Sequence, residues 1–288
     1  MNTSLTELIR LACLWEATIP KPGNVHPDAS FDDLTYDDFV HSAEAIAPIL
    51  GTSENKRVGE LVLHAAQTTM KAVGKNTNLG IILILAPLAV AKRQSKPVDT
   101  VLEQLGVQDA IDVYQAIRVM QPGGMGKVPE QDVSDIPTIT LLDTMRLAED
   151  RDLIARQYSI GYHDVQQLLL PHLKQKYLHF SLDHECINVH ASLVLSVQSA
   201  FLTGIAEMGE TLIRRKCGEA VEKTAQLHAR QILQSGWPRT EHGLDLFQQF
   251  DTWLRADGHR RNPGTMADLI AATLFLALEE GVIPPIAP

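Results

Sequence analysis

Aromatic side chains make up only 5% of the 288 residues, and cysteine occurs three times. With so few rings, the core has to be assembled from Leu, Ile, Val and Ala, a balance that favours helices over sheets. Cys13, Cys186 and Cys217 are odd in number, widely spaced and form no CxxC pair. That excludes a disulfide framework and reads as reduced, mostly buried thiols in a cytoplasmic protein. Positive charge is also short: 25 Lys and Arg against 35 Asp and Glu leave a net charge of −10. This excludes a nucleic-acid binder held by a general basic surface, but leaves room for a local basic pocket around a small phosphorylated ligand. Long apolar runs are missing as well. Leu79 to Ala91 covers 13 residues and contains Pro87, whereas a membrane-spanning helix takes about 20 apolar residues. The N-terminal MNTSLTELIRLACLWEA has no basic segment followed by a long apolar one, so it does not read as a signal peptide. Neither GxxxxGK(S/T) nor GxGxxG occurs, which excludes a P-loop NTPase and a dinucleotide-binding βαβ unit.

What is present is helical periodicity. Leu5, Leu8, Ile9, Ala12, Cys13 and Trp15 predict a first helix ending before Pro20. Thr35 ahead of an acidic turn predicts a second start. Further helices are predicted over Lys56–Val73, from Leu79 onward, over Asp109–Met120, Pro137–Ala148, Glu219–Gln234, Leu244–Leu254 and Met266–Glu280, with one long periodic region from Asp183 to Arg215. Period-two alternation is almost absent. The expectation is an all-α protein, residues 1–288 forming a single compact domain of roughly ten or more helices.

Between the helices lie four punctuated stretches: Lys21-Pro-Gly-Asn-Val-His26, Lys75-Asn-Thr-Asn-Leu-Gly80, Gln121-Pro-Gly-Gly-Met-Gly126 and Asn262-Pro-Gly-Thr-Met-Ala-Asp268. The plain reading is turns and helix caps. The functional reading is an anion site, because helix N-termini expose unpaired N–H groups and a positive dipole end, and glycine lets the backbone approach a phosphate. Asp132, Asp152, Asp183, Glu185, Glu210 and Asp268 lie beside these loops, and carboxylates with phosphates are what Mg²⁺ takes as ligands. Glu207-Met-Gly-Glu-Thr-Leu-Ile-Arg-Arg-Lys216 places Glu210 four residues before Arg214, the spacing of a helical ion pair, with Gly209 marking a helix start. His184-Glu185 opens like HExxH but lacks the second His, so a zinc site at His184 and His190 is only weakly indicated.

Taken in order, several blocks resemble the triphosphoribosyl-dephospho-CoA synthase family over residues 8–280. They are Lys21-Pro-Gly, Phe39-Val-His-Ser-Ala43, Asn76-Thr-x-x-Gly80, Glu210-Thr-Leu with Arg215 and Gly218, and Pro263-Gly-x-x-Ala-Asp-Leu269. The resemblance implies an all-helical enzyme that transfers the triphosphoribosyl part of ATP to the ribose 2′-hydroxyl of dephospho-CoA and releases adenine. It implies Mg²⁺, small-molecule substrates, and no nucleic-acid or membrane partner. On this basis Lys21, Asn24, Asn76, Asn78, Gly80, Arg215, Asn262, Gly264 and Thr265 are expected to bind phosphate or ribose. Asp33, Glu210 and Asp268 are expected in catalytic and metal-binding roles. The chain departs from the citrate-lyase branch at three places. Phe31 and Thr35 stand where that branch has His and Asp, Asn78 stands for a His, and Asn262-Pro-Gly-Thr-Met replaces Ser-Pro-Gly-Gly-Ser. It looks closer to a divergent branch in archaea and in bacteria with one-carbon cofactors. The alternatives are therefore the same nucleotide site acting on another acceptor, in tetrahydromethanopterin or methanofuran synthesis, or a helical nucleotide-binding protein without catalysis.

Overall fold

The computed structural model describes residues 3–52, 56–126, 130–182 and 189–288. Among them are fourteen α-helices: α1 (Leu5–Thr18), α2 (Tyr36–Thr52), α3 (Val58–Val73), α4 (Leu79–Gln94), α5 (Val98–Glu103), α6 (Val107–Met120), α7 (Leu141–Arg146), α8 (Leu153–Ser159), α9 (Leu170–Ser181), α10 (Val189–Met208), α11 (Thr211–Cys217), α12 (Glu219–Gln234), α13 (Glu241–Arg255) and α14 (Gly264–Glu279). A π-helical turn, Val165–Leu169, runs straight into α9, and a four-residue extended segment, Ala256–His259, follows α13. The protein is all-α, and its buried apolar side chains form one continuous cluster drawn from every helix.

The centre of that cluster is α4. It is buried without a break from Ile81 to Ala91 and is enclosed by α1, α2, α3, α5, α8 and α14. A helix buried all round has no polar face to spare, so its internal Pro87 creates a specific problem. Proline has no N–H, and the Leu83 carbonyl one turn earlier loses its helical partner. The fully buried Tyr158 supplies the missing donor, its hydroxyl lying 2.7 Å from Leu83 O, and Tyr162 donates to Ile84 O at 2.8 Å. Close approach elsewhere depends on glycine. A Cβ on Gly59 would fall 2.5 Å from Asp109 Cα, so α3 and α6 touch only because Gly59 has none.

The long periodic region from Asp183 to Arg215 is divided at the helix start that Gly209 marks. It contains α10 and α11, separated where Gly209 takes a left-handed φ of 79°. The helix predicted over Pro137–Ala148 shrinks to α7. Asp183, His184, Glu185 and Cys186 fall outside the described residues, as does the motif they make. The Thr35 start appears as α2, where the Thr35 N–H donates to Asp38 Oδ2 at 2.8 Å. Among the described residues one helix, α10, is by length and composition apolar enough to cross a membrane, but 67% of its apolar 18-residue window is buried, as for a core helix.

Candidate functional site

The four glycine-punctuated stretches are far apart in sequence, yet all four line one cavity of about 910 Å³. Asn24 and Val25 come from the first. Asn76, Thr77 and Gly80 come from the second, Gln121, Gly123 and Gly126 from the third, and Asn262, Thr265 and Asp268 from the fourth. The N-terminal ends of α4 and α14 meet at its wall. Asp268, on the first turns of α14, lies so close to α4 that a Cβ on Gly80 would fall 1.9 Å from its Oδ2. Gly80 is thus the residue that allows this carboxyl its place against the positive end of α4. Burial, with the neighbouring carboxylates Glu16, Asp152 and Glu210, holds the Asp268 carboxyl well above the usual range, and Arg215 offsets part of this. Among the described residues no hydrogen bond engages Asp268.

The groups around it are braced. Glu16, at the end of α1, lines the cavity and is paired with the buried Lys21 ammonium at 3.0 Å. Lys21 also donates to the Glu16 and Ile19 carbonyls, placing a cation at the C-terminal, negative end of α1. Asp152 caps α8 through Oδ1, accepting from Ile154 N at 2.8 Å and Ala155 N at 3.2 Å, while its Oδ2 takes the Arg215 guanidinium. Arg215 Nε is buried without a partner. Asn24 Nδ2 donates to Asn262 Oδ1 at 2.6 Å, joining the first loop to the last, and leaves Asn24 Oδ1 buried with no donor. At the rim, Asp33 meets His259 Nδ1 at 3.1 Å, and Phe31 packs edge-on against His259 and under Arg255. The Asp33 side chain is 65% exposed.

This arrangement sets cations and one unengaged carboxyl round a space large enough for a nucleotide. The sequence matches the CitG family, described as ATP:dephospho-CoA triphosphoribosyl transferase, over residues 2–284. The chain belongs to the CitG family. Among solved structures it is similar to an Archaeoglobus fulgidus protein assigned provisionally as a triphosphoribosyl-dephospho-CoA synthase. The identity is 23%, the TM-score is 0.62, and the match covers 86% of this chain and 99% of that one, a likeness of fold. No curated protein matches this chain.

Within this CitG-family transferase the expected residues divide into three groups. Asn24, Asn76, Gly80, Arg215, Asn262, Gly264, Thr265, Asp33 and Asp268 line the cavity. Lys21 lies behind it, spent on Glu16, and Asn78 is buried off the cavity wall with neither amide atom partnered. Glu210 is fully buried and joins two helix starts. Its Oε2 accepts from Ile213 N at 2.6 Å, and its Oε1 from Thr265 N at 2.8 Å and Met266 N at 3.3 Å. Burial pushes its carboxyl up to about 7 against the pull of those N–H groups and of Arg215. Arg214 pairs with Glu222 at 3.2 Å and not with Glu210, because Glu210 precedes the helix as its cap. Asp33, Glu210 and Asp268 do not share one metal site, and among the described residues no three His, Cys, Asp or Glu side chains gather round a common point.

Sequence reasoning missed Arg151, Lys216, Glu16 and Tyr114 as cavity residues. Arg151 sits in Glu149-Asp-Arg-Asp152, and Lys216 closes the 207–216 run, which reads as a helix start partly facing a cleft or as a solvated charged face. Nothing local singles out either cation within its run.

Proposed function

We propose that this cavity binds ATP and dephospho-CoA and transfers the triphosphoribosyl group between them, releasing adenine. The observation that carries the reading is the Asp268 carboxyl. It is unengaged, held protonated beyond the usual carboxylate range, and set in the wall of a cavity with Arg215 and the Asn24–Asn262 pair. In the transfer, the bond from C1′ of the ATP ribose to adenine breaks, and a bond from C1′ to the 2′-oxygen of dephospho-CoA forms. Asp268 gives its proton to the departing adenine. The carboxylate left behind faces the cationic C1′ and stabilises it, as carboxylates do in glycoside hydrolysis. It then takes the proton of the attacking hydroxyl and returns to its starting state, so one residue serves as acid and then base. Glu16 and Asp152, each held by a cation, keep negative charge near Asp268 and so maintain its proton affinity.

The side chains do not fit a resident Mg²⁺ site. Asp33 is at the rim, both Glu210 oxygens are taken by backbone N–H groups, and Asp152 is shared between α8 and Arg215. Mg²⁺ then enters as the counter-ion of ATP, part of the substrate.

Incubation with ATP, Mg²⁺ and dephospho-CoA, followed by chromatography and mass spectrometry, tests the reading. It expects adenine and a triphosphoribosylated dephospho-CoA in equal amounts, and no adenine when dephospho-CoA is omitted. Tight ATP binding with no adenine in the full mixture would overturn it.

A further inference from the structure

The sequence points to helix N-termini as the phosphate grip, and the structure shows two of those ends, the starts of α11 and α14, already filled. Glu210 occupies the starts of α11 and α14 by accepting from Ile213, Thr265 and Met266. At the start of α4, Asn76 Oδ1 accepts from Leu79 N at 3.3 Å, and the Asp268 carboxyl lies against Gly80. With the starts of α11 and α14 taken up, a polyphosphate entering this cavity needs cationic side chains to hold it. Four Lys and Arg residues line it: Lys75, Arg151, Arg215 and Lys216. Two are already paired, Lys75 with Asp38 at 2.8 Å and Arg215 with Asp152. Arg151 and Lys216 form no ion pair among the described residues, in a chain whose acidic groups outnumber its basic ones by 35 to 25.

Two cations without an ion pair on a concave wall mark an anion site, although carboxylates line the same cavity. Lys216 is held there by packing. A Cβ on Gly124 would lie 3.2 Å from Lys216 Cγ, and one on Gly123 3.3 Å from Lys216 Cε. The third glycine loop thus lies directly along the lysine stem. Burial lowers the Lys216 ammonium, and the attraction of Glu210 and Asp33 offsets part of this.

We propose that Arg151 and Lys216 together form the polyphosphate grip of this cavity, with the Gly123–Gly124 loop holding Lys216 in place. The proposal rests on the reading that the cavity takes a nucleoside triphosphate, and it names the end of the cavity where the phosphates lie. Arg151 offers a planar fork of donors and Lys216 a compact point charge, a combination suited to a chain of phosphates.

Inorganic tripolyphosphate, titrated calorimetrically in metal-free buffer, isolates this grip from catalysis. The wild type should bind it in competition with ATP. Arg151→Ala and Lys216→Ala should each weaken it by about tenfold, while Arg151→Lys and Lys216→Arg retain most of the affinity and Lys96→Ala, at a distant exposed cation, is without effect. Adenosine binding should be unchanged in all of them. The charge-conserving variants separate loss of charge from loss of fold. Wild-type protein that fails to bind tripolyphosphate, or Ala variants that bind it undiminished, would overturn the proposal. Failure to release adenine with dephospho-CoA would remove the transfer reaction and leave this grip standing.

Discussion

At the residue scale, the account turns on Asp268 and the glycine opposite it. Position 80 faces the carboxyl so closely that no side chain fits, and a new Cβ would drive the carboxyl off the start of α4. Gly80→Ala therefore is expected to fold, since its helical backbone is one that alanine adopts, and to lose about 100-fold in turnover through misplacement of a reacting group. Circular dichroism alongside the adenine assay checks this; wild-type turnover in a folded Gly80→Ala protein would contradict it. The neighbouring ion pair has a different part. Lys21 was expected on phosphate because it stands in a Lys-Pro-Gly loop, but it holds Glu16 and the last carbonyls of α1. A lysine before Pro-Gly reads identically in sequence whether it faces a ligand or folds back under its own helix. The same limit applies to Glu210, whose spacing to Arg214 is that of a helical ion pair. Only the fold shows that its carboxylate lies between two helix starts.

At the scale of elements, the cavity wall depends on α4 staying intact while fully buried. Pro87 breaks its hydrogen-bond ladder and Tyr158 repairs it at Leu83. Leu83 itself lines the cavity, so the repair lies directly beneath the site. Tyr158→Phe leaves a buried carbonyl unsatisfied and should cost about 1–3 kcal/mol of stability. Pro87→Ala returns an N–H to the same carbonyl, so the double variant should recover much of the loss. Denaturant unfolding of the two single variants and the double variant measures this; a fully additive loss would contradict the repair. The helices themselves were legible where their faces are periodic, as in α1, α3, α6, α12 and α14. The division of 183–215 was legible at Gly209, but not the cap by which Glu210 joins two helix starts distant in sequence. The glycine loops were visible as punctuation, and their meeting at one cavity is a property of packing that no local pattern carries.

For the whole molecule, an acidic all-α chain gathers four cations and several carboxylates round one cavity, and the CitG family assignment agrees with a transferase. Functional groups held in such surroundings cost stability. Burial and like charge raise the Asp268 carboxyl, so the folded state binds its proton more tightly than the unfolded state does. The stability this gives is complete at acid pH below the ordinary carboxylate range. It is lost as pH rises from that range towards the raised folded value. At neutral pH, Asp268→Asn should leave the melting temperature unchanged or raise it. In the wild type, turnover should fall as pH rises through the raised value, because the proton delivered to adenine is lost. The direct measurement is adenine release by Asp268→Asn under single-turnover conditions with ATP and dephospho-CoA, beside ATP binding by the same variant. The account predicts ATP bound with near wild-type affinity, a melting temperature no lower, and adenine release reduced by about 100-fold or more. Adenine released at the wild-type rate by a folded Asp268→Asn protein would contradict it.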